Sequence, residues 1–208
     1  ALVQAAQMSW STPMKDPRTR FVKRDEAGFS NELSESQKQA AQLEPQIEQL
    51  YQLLLLGEAD RSVEKSQRWQ AGYDLALGRV LATKVRTETY NAMLAVAKRG
   101  IKLKDPKSNT FTLVPADIVS VGSQYKKGAE KAKELLQGVI DQHEGTPWAY
   151  LAKKELATPI GWEWKESYTD LSPPPRPGAG NGGNPPAAQN DAANMIKKPP
   201  PKRRPPKL

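Results

Sequence analysis

No cysteine occurs among the 208 residues, and histidine occurs once, as His143. The first absence removes disulfides, zinc–thiolate sites, iron–sulfur clusters and cysteine nucleophiles. The second removes His-rich metal sites and any mechanism that needs two imidazoles. Long apolar runs are missing too. Stretches such as Leu53 to Leu56 fall far short of the roughly 18–20 residues of a membrane-spanning helix. What remains is a polar composition, 38% hydrophobic and 26% charged, with a mean hydropathy of −0.69. The length is that of one domain, or of one domain and a tail.

The net charge of +8 is unevenly placed. Residues 172–208 hold seven basic side chains (Arg176, Lys197, Lys198, Lys202, Arg203, Arg204, Lys207) and one acidic, Asp191, so this segment alone carries +6. The other 171 residues hold 24 basic and 22 acidic side chains, a nearly neutral body. The same segment contains 11 of the 18 prolines and Gly178, Gly180, Gly182 and Gly183. With few apolar groups to offset the ordering entropy, it reads as a disordered Pro/Gly-rich basic tail. The triplets Pro173–Pro175 and Pro199–Pro201 favour polyproline II, and the glycine-rich middle reads as a linker.

At the other end, residues 1–29 read as an irregular arm. Ala1 to Met8 lacks the positive start and apolar run of a signal peptide, and we expect the chain to be part of a longer parent. Pro13, Pro17 and the charges at Lys15, Asp16, Arg18, Arg20, Lys23, Arg24, Asp25 and Glu26 favour a surface-wrapping segment, with Trp10 available to plug a groove between helices.

Residues 30–171 read as a helical domain. Ser34-Glu-Ser-Gln37 fits a capping box near a helix start. Leu43, Ile47, Leu50, Tyr51 and Leu54 then form one stripe. Pro45, lacking an amide, either kinks this helix or starts a second one, and Gly57 ends it. Asp60 is a candidate cap for the next helix. Trp69, Tyr73, Ala76, Leu77, Val80, Leu81, Tyr90, Met93, Leu94 and Ala97 keep a helical period to Gly100, as one long helix or as two broken near Thr83, Thr87 and Thr89. Residues 101–114 alternate about Asp105-Pro-Lys-Ser-Asn109, which predicts an inserted hairpin or a loop. Tyr125, Ala129, Ala132, Leu136, Val139, Ile140 and His143 share a helical face. Gly145 stops that helix, and Thr146-Pro147 caps and starts the next, with a stripe of Trp148, Leu151, Ala152 and Leu156. Ile160 to Trp164 is extended, with both tryptophans on one side. The fold class is all-α: an irregular bundle of four or five helices, a small insertion and a tail.

The stretch Ala132-Lys-Glu-Leu-Leu to Gly145-Thr-Pro-Trp-Ala to Glu155-Leu156 resembles the junction between tetratricopeptide-type repeats, which implies a close antiparallel helix pair. No 34-residue period extends it over the chain. Arg68-Trp-Gln-Ala-Gly-Tyr-Asp-Leu-Ala-Leu-Gly-Arg79, together with Gly145-Thr-Pro-Trp-Ala to Ile160-Gly-Trp-Glu-Trp164, is similar to the region that follows the von Willebrand factor A-type domain in large planctomycete proteins. That implies the C-terminal part of such a protein. The A-type metal motif, Asp-x-Ser-x-Ser, occurs nowhere in these residues, so no metal site carries over.

Candidate chemistry is sparse. His143 stands where a helix ends, the place where a histidine donates to terminal carbonyls and favours the dipole. Glu32, Glu35, Glu44, Glu48, Glu58, Glu64, Glu130 and Glu134 alternate with lysine or glutamine as a solvated face does. Gly178 to Gly183 lacks the Gly-Lys-Ser/Thr ending of a phosphate loop. Four tryptophans, Trp69, Trp148, Trp162 and Trp164, read first as core. Trp162 and Trp164 are in addition candidates for an exposed aromatic contact surface. Lys197, Lys198, Lys202, Arg203, Arg204 and Lys207 form a candidate polyanion-binding cluster, weak because it holds no aromatic to stack on bases. The expectation is a non-enzymatic scaffold or protein-interaction module with a protein partner and no cofactor. The alternative is a binder of nucleic acid or anionic surfaces through the tail.

Overall fold

The computed structural model describes Val3 and residues 17–101 and 104–172. The described part is built of six helices and a small sheet. In order these are β1 (Arg20–Val22), α1 (Glu26–Ala41), α2 (Glu44–Leu55), α3 (Glu58–Val63), α4 (Gln67–Lys98), β2 (Thr110–Ala116), α5 (Ser123–Gln142), α6 (Pro147–Leu156) and β3 (Gly161–Ser167). The class is all-α, with three short strands laid on the helices. Among the described residues no helix is long and apolar enough to cross a membrane.

The axis of the fold is α4, 32 residues and so about 48 Å long. Its buried residues do not form one stripe. Ala71, Leu75, Gly78, Ala82, Val85 and Thr89 lie on one line, Tyr73, Leu77 and Leu81 on another, and Tyr90, Leu94 and Ala97 on a third. A helix covered on several sides is a core helix, and α1, α2, α5, α6 and β3 all pack on it. It is a single helix because Thr83, Thr87 and Thr89 do not compete with it. Their hydroxyls donate to the carbonyls of Arg79, Thr83 and Val85, at 2.9, 3.0 and 2.6 Å.

Several sequence expectations are corrected at helix starts. The first helix begins at Glu26, not near Ser34, because Asp25 accepts from the Gly28 amide at 2.6 Å and caps it. Ser34 is inside the helix, donating to the Ser30 carbonyl. The arm expected to be irregular over 1–29 is therefore ordered in its described part. Phe21 of β1 and Phe29 of α1 are both buried, and burial of that apolar surface holds the segment down. Pro45 opens a second helix in its first turn, where its missing amide costs nothing. Asp60 lies within α3, and the long helix starts after Ser66. Gly57 follows α2 without a left-handed φ.

The α5–α6 connection forms as its residues predict. His143 is the C-cap, Gly145 takes a φ of +75°, and the Thr146 hydroxyl accepts from the Ala149 amide ahead of Pro147. The stripe of α6 differs. Ala149 and Ala152 are its buried residues, Leu151 is exposed, and Trp148 is only partly buried against the cluster of Leu75, Leu136, Val139 and Ala152. Small side chains let α6 lie close to its neighbours.

The insertion expected at 101–114 does not fold back on itself. Its second half is a strand, but β2 pairs antiparallel with β1 (Phe21 opposite Phe111) and with β3 (Leu113 opposite Trp164). Both flanks of Thr110–Thr112 are thus taken by segments from far along the chain. Phe21, Phe111 and Leu113 face inward onto Phe29, Leu33, Tyr90, Met93 and Leu94.

Candidate functional site

The most constructed part of the surface is the corner where α2 turns through α3 into α4. Three bonds tie it. Arg61 of α3 makes a two-pronged ion pair with Asp74 of α4, Nε to Oδ1 at 2.8 Å and Nη2 to Oδ2 at 2.6 Å. The buried Tyr73 hydroxyl donates to the Leu54 carbonyl of α2 at 2.7 Å. Glu64 closes the turn, accepting from the Ser66 amide through its carboxylate and from the Gln70 side chain through its carbonyl. Burial, and then the charges of Glu58 and Asp74, push the Tyr73 phenol up to about 12. Asp74 likewise holds Arg61 above its ordinary value.

On this rigid frame three large apolar side chains face solvent: Leu56 at 77% exposure, Val63 at 74% and Trp69 at 52%. Trp69, expected in the core stripe, is not there. It stands one turn before Tyr73, and α2, which covers Tyr73 through Leu54, ends at Leu55. The sequence reading missed the corner. The signal that could have found it is Arg61 and Asp74, two opposite charges flanking a short segment with apolar residues at both ends.

Further along, α2 and α4 enclose an open groove of about 260 Å³ lined by Glu44, Pro45, Ile47, Glu48, Lys84, Thr87 and Glu88. Lys84 bridges Glu48, at 2.7 Å, and Glu88. Glu44 accepts from the Asn91 amide. Burial works to lower the Lys84 ammonium, but its bonds to Glu48 and Glu88 outweigh this and raise it. Hydrogen bonds from Lys84 and Gln52 lower Glu48. Lys84 and Glu48 hold each other in their charged forms, and the cluster fastens α2 to α4. No group of three or more His, Asp or Glu side chains that could hold a metal occurs among the described residues.

Trp162 and Trp164 lie side by side on β3, on one face as predicted, but that face is the inner one. Trp162 donates from Nε1 to the Arg86 carbonyl at 3.0 Å and meets Tyr90 edge-on. Trp164 stands edge-on to Phe21 and Phe111. The exposed aromatic platform is thus corrected. Alternation along the strand sends Glu163 and Lys165 to solvent and both indoles onto α4 and the sheet core. His143 is buried, and its Nε2 has no hydrogen-bond partner among the described residues. Lys197, Lys198, Lys202, Arg203, Arg204 and Lys207, with Trp10, lie outside the described residues.

No family model, curated protein or solved structure matches the chain.

Proposed function

We propose that this protein is a non-enzymatic scaffold, a protein-interaction module that engages a partner through the corner at Leu56, Val63 and Trp69. The observation that carries the reading is the exposure of these three apolar side chains on a segment already fixed by the Arg61–Asp74 and Tyr73–Leu54 bonds. A preorganised backbone spares the ordering cost of binding, and an exposed tryptophan is the side chain most often found dominating an interface. The test is a photocrosslinking amino acid placed in turn at 56, 63 and 69, and at the exposed Tyr150 of α6 as control, in cells that make the protein. A discrete adduct at the corner and none at 150 supports the reading. No adduct at any corner position, or the same adducts at 150, refutes it.

In this reading the module belongs to a larger protein with a von Willebrand factor A-type domain. What supports that is the resemblance of Arg68–Arg79 and Gly145–Trp164, the first of which contains Trp69, Tyr73 and Asp74 of the corner. The α5–α6 pair serves, by its tetratricopeptide-like sequence, as part of the scaffold.

A second reading rests on charge: +6 in 37 residues against a nearly neutral body. It holds that polyanions bind the tail weakly and without sequence preference. Six neutralised phosphates give a slope of about −5 in log K against log salt on duplex DNA. Glutamine at 197, 198, 202, 203, 204 and 207 should abolish retention on heparin; undiminished retention rejects it.

A further inference from the structure

The third strand has one bonded flank. Along its whole length Gly161–Ser167 pairs with Ala116–Thr110, and β3 is the outer member of the order β1-β2-β3. The direction of its other backbone groups follows from the ladder. Leu113 donates to the Thr19 carbonyl, so the odd-numbered residues of β2 bond to β1. Thr110, Thr112 and Val114 therefore face β3 and meet Ser167, Lys165 and Glu163. That leaves the amides and carbonyls of Trp162, Trp164 and Glu166 aimed at the open edge, with no backbone partner among the described residues. Such an edge is a template for another strand, and proteins guard it with charge.

Here the guarding charges are of opposite sign. Glu163 and Lys165 project from the solvent face, their side chains 54% and 65% exposed, with a long 3.6 Å contact between them. The geometry points to a second copy of this chain as the occupant of the edge, with β3 pairing antiparallel to β3 and Trp164 opposite Trp164. In that register Trp162 faces the second copy's Glu166, so the three outward-bonding residues on each strand complete one another's hydrogen bonds. Glu163 falls opposite the second copy's Lys165, and Lys165 opposite its Glu163. Both are at non-hydrogen-bonded positions, where side chains approach closest. Sliding the pairing by two residues either way sets Glu163 against Glu163 or Lys165 against Lys165. The alternating signs thus admit one register and exclude its neighbours, which is the self-complementarity a two-fold interface requires. The result is a six-stranded sheet, β1-β2-β3-β3-β2-β1. Exposed apolar groups flank it at both ends: Tyr168 (66% exposed) follows Ser167, and the carbonyl of Ile118 (77% exposed) lies against Gly161, the residue opposite the second copy's Ser167.

The proposal goes beyond the corner reading and is independent of it, since the residues involved are on different elements. It is tested by sedimentation equilibrium of the full chain over a concentration series. The wild type should dimerise. Glu163→Lys and Lys165→Glu each set like charges opposite one another twice and should weaken the dimer about tenfold or more. The double exchange, Glu163→Lys with Lys165→Glu, should restore it. Mixing the two single variants should give a heterodimer, because each lysine then meets a glutamate. Circular dichroism of each variant confirms that the fold is kept. A wild type that stays monomeric throughout, a dimer indifferent to both reversals, or single variants that fail to pair when mixed would each overturn the proposal. None of these results alters crosslinking at 56, 63 and 69.

Discussion

Two glycines on the facing helices α4 and α5 make opposite predictions for the same substitution. At Gly78 an added Cβ would stand 2.9 Å from Leu136 Cγ, 3.1 Å from its Cδ2 and 3.3 Å from Leu135 Cβ. Leu136 has no room to retreat, being fully buried among Leu75, Val139 and Ala152. At Gly138 the nearest atom is Gln142 Nε2, at 3.9 Å. Alanine in a helix interior gains roughly 0.5–1 kcal/mol over glycine by restricting the unfolded chain. At Gly138 that gain stands alone. At Gly78 it is opposed by an overpacking cost of about 1–3 kcal/mol, so the net is a loss of up to about 2.5 kcal/mol. With about 2–4 °C per kcal/mol for a chain of this size, Gly138→Ala should raise Tm by about 1–4 °C, and Gly78→Ala should lower it. Leu136→Ala supplies the decisive background. It removes the two closest atoms, leaving only Leu135 Cβ at 3.3 Å, at its own cost of about 2–5 kcal/mol, and within it Gly78→Ala should lose most of its penalty or become stabilising. Differential scanning calorimetry of the four variants reads all of these signs. If Gly78→Ala stabilises the wild type as much as Gly138→Ala does, the helices are not in contact there and the reasoning is wrong.

The corner has an alkaline signature. The folded state holds the Tyr73 phenol neutral up to about 12, while the unfolded chain ionises near 10. Its contribution is therefore complete below pH 10 and lost as pH rises toward 12. Tyr73→Phe should reduce that alkaline loss in urea titrations, leaving the part due to Tyr90, which burial also raises, and should cost about 0.5–1.5 kcal/mol at neutral pH. Thr146→Ala removes the acceptor for the Ala149 amide and the donor to the His143 carbonyl at 2.6 Å. A loss of about 1 kcal/mol is expected from chemical denaturation, and Thr146→Ser should recover most of it. A chain ending at Leu171 should melt with the full chain, since the buried residues among those described all precede it; a drop of many degrees would contradict this.

What could be read from the sequence was what is decided locally. Gly145, Thr146 and Pro147 state the α5–α6 turn in adjacent residues, and of the stripe Ala129, Ala132, Leu136, Val139 and His143 are buried while Ile140 is partly so. Pro45 announced a kink or a new helix for the same reason, and the structure shows the new helix. The errors arise where a distant segment decides. Nothing near Thr110 says that its partners begin at Arg20 and Gly161. The cap at Asp25 was hidden because Gly28 and the charges before it look like a loop, and only the burial of Phe29 and Leu33 makes a helix of them. Trp69 continues a stripe, but a stripe carries no information about where the covering helix stops. The corner was illegible for that reason: exposure of an apolar residue depends on what fails to cover it.

The sheet has a consequence for the order in which the molecule is made. Its strands come from residues 20–22, 110–116 and 161–167, so Phe21 meets Trp164 across about 140 intervening residues. During synthesis β1 leaves the ribosome among the first described segments and its aromatic wall among the last. Closing so long a loop is entropically slow, and the helices, whose contacts are more local, form ahead of it. Phe21 and Phe111 must then wait with the ring faces that meet Trp164 uncovered until that residue emerges, and the nascent chain is stickiest in the interval just before β3 arrives.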